Sequence, residues 1–259
     1  MSAPVFRVVI PARYASSRLP GKALRALAGK PMVQWVYERA CASGASEVLI
    51  ATDDELIVSA AHSFGAPALM TDRSHASGTD RIAEVARARG WADTQIIVNV
   101  QGDEPLIPAG LITQVAEELA RTEDAQIATL AFPLDSVAQL MEPNIVKVVT
   151  DASGRALYFS RAPIPWNRDG AADGLASQQD FGGARRHIGL YAYRVGALLR
   201  LARLPPGALE VREKLEQLRA LEHGMKIQVA DAAERPGPDV NTAADLERVA
   251  ALMGSRTAS

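Results

Sequence analysis

Three short apolar runs, VFRVVIP at residues 5–11, EVLIA at 47–51 and QIIVNV at 95–100, punctuate the first hundred residues. Nearly continuous apolar runs of this length suit strands buried on both faces, the situation of a parallel sheet covered by helices. The segments between them have helical period. Pro31 fits the first turn of a helix over MVQWVYERACASG that ends near Gly44. Acidic residues open DDELIVSAAHSFG, which closes at Gly65. SGTDRIAEVARARG sets Ile82, Val85 and Ala86 on one face and stops at Gly90. Strands and helices alternating at this spacing predict an α/β fold: a mostly parallel central sheet with right-handed crossovers and helices on both faces.

The second half reads differently. NIVKVVTDASGRALYFS forms two strands around the turn 151–154, an antiparallel hairpin. Residues 167–186 are polar and Gly-rich and predict a long loop. HIGLYAYRV is a strand. LEVREKLEQLRALEHG reads as one helix with Val211, Leu215, Leu218 and Leu221 on its buried stripe. MKIQVA is a strand, and ADLERVAALMG a closing helix. With no repeat and no linker, residues 1–254 read as one domain, with about 130–190 an elaboration on its edge and 255–259 a frayed tail.

Composition excludes several classes. A chain of 259 residues that is 48% hydrophobic and 22% charged can bury a large core and is neither disordered nor fibrous. No apolar run approaches the roughly 18 residues of a membrane helix. MSAPVFRVVIPAR has no apolar stretch of signal-peptide length, which argues for a cytoplasmic location. Cys41 is the single cysteine, so no thiolate metal cluster is expected. The net charge of −2 hides an asymmetry: residues 1–37 carry +6, so the remainder carries −8. A short basic segment points to a local anionic ligand; a nucleic-acid track would need a long basic face. Charge alone weighs that reading evenly against a solvated basic surface.

Two segments fall where open parallel sheets bind ligands, at the carboxyl ends of their strands. PARYASSRLPGK (11–22) brings Arg13, Arg18 and Lys22 together with two serine hydroxyls and a glycine turn. Three cations match a triphosphate, and Gly21 lets the backbone approach it. The segment is not a Walker A loop, because Ala23 follows the lysine where Ser or Thr is needed. No Gly-x-Gly occurs in the chain, which argues against a nicotinamide dehydrogenase. The second segment, VQGDEPL (100–106), puts Asp103 just past an apolar strand, where α/β enzymes hold Mg²⁺ against substrate phosphates. The bland alternatives are a basic loop and a solvated turn. Small residues and hydroxyls at 51–54 and 75–81 suit a base and ribose; His75 alone is as readily structural.

The motifs IPARYASSRLPGKAL, HASGTDRIAEV, NVQGDEPLIP, YFSRAPIPW, RHIGLYAYR, LEQLRAL and DVNTAADLERV run from about residue 5 to 250. In this combination the chain closely resembles the CMP-Kdo synthetase (3-deoxy-manno-octulosonate cytidylyltransferase) family. The resemblance implies a nucleotide-diphospho-sugar transferase fold (glycosyltransferase-A-like), a homodimer, and Mg²⁺ as cofactor. It implies conversion of CTP and 3-deoxy-manno-octulosonate (Kdo) to CMP-Kdo and diphosphate, which activates Kdo for lipopolysaccharide. It assigns Arg13, Ser17, Arg18 and Lys22 to the CTP phosphates, with Arg13, Lys22 and Asp103 catalytic. Asp53, Ser77, Gly78, Thr79 and Arg81 are placed for the cytidine, and Gln101 for either substrate. Arg161, His187 and Tyr191 match the sugar-side motifs. Glu213 and Gln217, one turn apart on the helix read above, would join them with Glu210; a solvated face with an Arg212–Glu216 pair is the competing reading. Tyr158, Phe159 and Trp166 read as packing or dimer contacts. One position departs: Asn241 stands where the family carries a second Mg²⁺-binding aspartate, and Asp239 could serve instead. Rival readings are a cytidylyltransferase for 8-amino-Kdo or N-acylneuraminate, or a non-catalytic nucleotide-binding protein on the same fold.

Overall fold

The structure is a computed structural model and describes residues 4–15, 19–171 and 173–257. Ser17 and Arg18 lie outside the described residues. In chain order the elements begin with β1 (Phe6–Ala12), β2 (Ala26–Leu27), β3 (Lys30–Pro31), α1 (Met32–Cys41), β4 (Glu47–Thr52) and α2 (Glu55–Ser63). Next come β5 (Ala68–Met70), α3 (Gly78–Ala88), β6 (Ile96–Asn99), α4 (Ala109–Arg121) and β7 (Ile127–Pro133). Then follow α5 (Val137–Met141), β8 (Lys147–Thr150), β9 (Ala156–Ser160), β10 (Arg185–Arg194) and α6 (Val195–Leu201). The chain ends with α7 (Ala208–Glu213), α8 (Gln217–Glu222), β11 (Ile227–Asp231) and α9 (Ala243–Thr257).

The main sheet runs β11-β7-β10-β6-β1-β4-β5, with β8 and β9 branching from β10. The pairs β11/β7, β6/β1, β1/β4 and β4/β5 are parallel. β10 is antiparallel to both neighbours. Because it enters the sheet from the opposite end, its first residues lie at the carboxyl ends of the parallel strands. Successive β1 residues feed both layers of the core. Val8 and Ile10 pack with α1, α2 and α4 on one face; Val9 packs with α3, α6 and α8 on the other. A smaller cluster of Leu106, Val240, Val249 and Met253 fastens α9 to the loop after β6.

Several expectations change. β7 and β10 are interior strands of the sheet, so the elaboration is the stretch between them, with the β8/β9 hairpin at its centre. α4, whose stripe of Leu111, Ile112, Val115 and Leu119 is fully buried, occupies a segment to which the sequence reading assigns no element. The final helix continues through Thr257, past the point where fraying is expected. The segment 208–222 is two helices rather than one. Lys214 takes a left-handed conformation (φ +54°) and ends α7, and Val211, expected in the buried stripe, is exposed.

Candidate active site

Four loops meet at the carboxyl end of the sheet. After β1, the chain turns at Gly21, whose φ of +65° favours glycine, and a single 3-10 turn presents Lys22. After β6, Gly102 lies against β1 so closely that a Cβ would sit 3.0 Å from the Pro11 carbonyl oxygen. That contact delivers Asp103 to Lys22: the ammonium donates to Asp103 Oδ2 over 2.6 Å. The third loop precedes α9. Val240 is fully buried and its N–H donates to the Asp103 carbonyl over 2.9 Å, setting Asn241 beside the pair. Asn241 Nδ2 donates to Asp239, which turns Oδ1 towards Lys22 Nζ, 3.4 Å away. Lys22 therefore sits between two oxygens that converge on one positive charge.

The fourth loop is the start of α3, closed by a reciprocal capping box between Ser77 and Asp80. Arg13, Lys22, Ser77, Gly78, Gln101 and Asp103 are among the residues lining a cavity of about 260 Å³, which also meets Arg81 and Asn241. Arg81 is committed within the protein: it is almost wholly buried, pairs with Asp53 Oδ2 at 2.8 Å and donates to Thr71. Asp53 does not line the cavity; its carboxylate fixes Arg81. Thr79 faces a second cavity rather than the first.

The second cavity, about 380 Å³, shares Gln101, Asp103 and Asn241 with the first. His187, Tyr191 and Gln217 line it, as do Glu104 and Arg186, which the sequence reading passes over, and Glu216, read there only as a partner of Arg212 on a solvated face. Glu216 reaches Ser77 Oγ at 3.4 Å and so touches both compartments. Burial raises its carboxyl above the ordinary range. Burial, reinforced by Asp103 and Asp239, pushes Glu104 up to about 8. Glu104 Oε2 and the Tyr191 hydroxyl are buried without a hydrogen-bond partner among the described residues. Orphaned polar atoms in a cavity wall are what a polyhydroxylated ligand would satisfy.

Arg161, Glu210 and Glu213 are not brought to this wall. Glu213 accepts from Ser160 Oγ (2.7 Å) and the Arg161 N–H (2.9 Å), and Arg161 donates to the carbonyls of Glu213 and Pro143. Glu210 pairs with Arg219, not Arg212 with Glu216. These three residues hold the β9–α7–α8 junction together. The shared face expected for Glu213 and Gln217 is lost because the turn at Lys214 separates them.

His187 packs edge-on to Phe159 and against Tyr191. Thr129 Oγ1 spends its one proton on the carbonyl of Leu190 (2.8 Å) or Ile188 (3.0 Å), so it accepts from His187 Nε2–H at 3.0 Å. Burial, helped by Arg186, holds the imidazole down to about 3. The ring is neutral across the working range. Its folded value lies below the unfolded one, so its contribution to stability is complete above about pH 6.5 and is lost as pH falls towards 3. The ring NMR signals are therefore expected not to titrate between pH 5 and 8. His187→Gln is expected to flatten the acid-side loss of unfolding free energy by on the order of 1–2 kcal/mol. A ring titrating near pH 6.5 contradicts this.

Three comparisons place this geometry among known proteins. The profile of the cytidylyltransferase family matches residues 7–227. The 3-deoxy-manno-octulosonate cytidylyltransferase of Thioalkalivibrio sulfidiphilus is 56% identical over 248 residues, 96% of this chain and 98% of that one. Its namesake from Pseudomonas syringae pv. tomato is 57% identical over 251 residues, again 96% and 98%. A solved CMP:2-keto-3-deoxy-manno-octonic acid synthetase complexed with CTP superposes with a TM-score of 0.87 at 42% identity, covering 98% of this chain and all of that one. Fold and near-full-length identity agree, and the chain belongs to the cytidylyltransferase family, among its 3-deoxy-manno-octulosonate cytidylyltransferases.

Proposed function

We propose that the protein transfers the cytidylyl group of CTP to 3-deoxy-manno-octulosonate, releasing diphosphate and supplying CMP-Kdo for lipopolysaccharide. The observation that carries this reading is the junction of two cavities at Gln101, Asp103 and Asn241. The first, with Arg13 and Lys22, takes the nucleotide and its phosphates. The second takes the sugar. The anomeric hydroxyl then meets the α-phosphorus at the junction and attacks in line, with diphosphate leaving on the Arg13–Lys22 side. Positioning and charge neutralisation supply most of the acceleration in such transfers.

The donor set fits Mg²⁺. Among the described residues no three His, Cys, Asp or Glu side chains form a metal cluster. Mg²⁺ instead favours one or two carboxylates, with water and substrate phosphates completing the shell. Asp103 and the Asn241 amide oxygen would hold it, and Asp239 orients that amide. When bound, the ion neutralises phosphate charge. Asn241 brings no charge of its own. Asn241→Asp is expected to lower the Mg²⁺ concentration for half-maximal rate by roughly three- to tenfold. It is also expected to destabilise the metal-free protein, because the new carboxylate would face Asp239 at hydrogen-bond distance. An unchanged or raised half-maximal concentration counts against this role.

No helix among the described residues is long and apolar enough to cross a membrane. A cytoplasmic homodimer without nucleic-acid partners completes the reading. The functional test is diphosphate release with CTP and each of Kdo, 8-amino-Kdo and N-acylneuraminate. Turnover confined to Kdo is expected. Preference for another acid reassigns the substrate, and turnover with none leaves a non-catalytic nucleotide binder.

A further inference from the structure

The second cavity is lined by more acidic than basic side chains, although burial raises two of the acids, Glu104 and Glu216. Asp103, Glu104, Glu216 and Asp239 all line it, and Arg186 is the one lysine or arginine among its described lining residues. Building on the proposed function, we infer that Arg186 receives the carboxylate of the sugar acid and makes the site selective for an acid over a neutral sugar.

The placement follows from the topology. Arg186 is the second residue of β10, whose antiparallel entry puts it at the ligand-binding end of the sheet. It stands opposite Phe132 of β7 in register, with its guanidinium carbon 5.7 Å from the ring centroid. A guanidinium held over an aromatic face keeps its plane fixed and its N–H edge available for a bidentate carboxylate. Among the described residues it forms no salt bridge with a protein carboxylate. The alternatives are spent. Arg161 donates through Nε and Nη1 to two backbone carbonyls, at 2.7 and 3.0 Å. His187 is neutral. An anionic ligand entering beside acidic side chains, with Asp103 already paired to Lys22, needs a compensating charge, and Arg186 is the lining cation that supplies it.

The test compares wild-type enzyme with Arg186→Gln and Arg186→Lys, measuring KM for Kdo and for CTP. It adds inhibition by Kdo and by its uncharged methyl ester in competition with the labelled acid. Arg186→Gln is expected to raise the KM for Kdo roughly 100-fold, leaving that for CTP within about twofold. Its preference for acid over ester should disappear. Arg186→Lys should recover part of the affinity, since it restores charge without the planar fork. A KM for Kdo within about threefold of wild type overturns the assignment. So does an acid-over-ester preference that survives in Arg186→Gln, or a parallel rise in both KM values. Wild-type enzyme that turns over CTP only with a different acid overturns the proposed substrate, and this assignment with it.

Discussion

Asp103→Ala is expected to lower kcat by roughly 1,000-fold or more while leaving the melting temperature within a few degrees. The carboxylate is the point at which the two cavities join, and it accepts from Lys22 at 2.6 Å. Under the proposed function, its removal takes away the charged residue that would hold Mg²⁺ and frees the lysine that should face the phosphates. The loop itself should persist. Its attachment to α9 runs through the Asp103 backbone carbonyl and the buried Val240, and Gly102 still packs against Pro11. The side chain is partly exposed, so its loss leaves no cavity in the core. Diphosphate release and thermal unfolding measured on the same preparation separate the two effects. A variant retaining a tenth or more of the wild-type rate would mean the metal is held elsewhere.

Lys147→Met carries the second large effect, on stability. Lys147 is a wholly buried residue of β8, and its ammonium donates to the carbonyls of Glu142 (3.0 Å), Ile145 (2.6 Å) and Arg161 (2.6 Å). A methionine fills the same channel but leaves three carbonyls without a donor, at roughly 1–3 kcal/mol for each that water cannot reach. A loss on the order of 3 kcal/mol in unfolding free energy is expected by chemical denaturation. Asn144 and Val146, in the strap that Lys147 ties down, line the second cavity, the one proposed to take the sugar. The folded fraction of the variant should therefore show a higher KM for Kdo than for CTP, relative to wild type. A change under about 1 kcal/mol would show that the three carbonyls find other partners.

The strands β1, β4 and β6 were legible because burial on both faces forces continuous apolar sequence. The meeting of Lys22 and Asp103, 81 residues apart, followed from the rule that strand carboxyl ends share one edge. The sugar wall was less legible. A helical period over 208–222 put Glu213 and Gln217 on one face, but Lys214 adopts a left-handed conformation without being glycine, and no local signal announces it. That turn sends Glu213 to β9 and leaves Glu216 facing the cavity. The arginine doublet at 185–186 was passed over for a similar reason: only the antiparallel entry of β10 places Arg186 at the site, and strand direction is a long-range property. Likewise, the resemblance placed both Asp53 and Arg81 for the cytidine, but no local signal told that the two would pair with each other.

The two adjoining cavities are proposed to bind two substrates for one direct transfer at phosphorus. The most direct measurement is the stereochemical course with CTP of a single configuration at the α-phosphorus, one non-bridging oxygen there being replaced by sulfur. Attack by the sugar hydroxyl across the Asp103 junction predicts inversion at phosphorus in the CMP-Kdo product. Retention would require a nucleotidyl–enzyme intermediate and an even number of displacements, and would contradict the account.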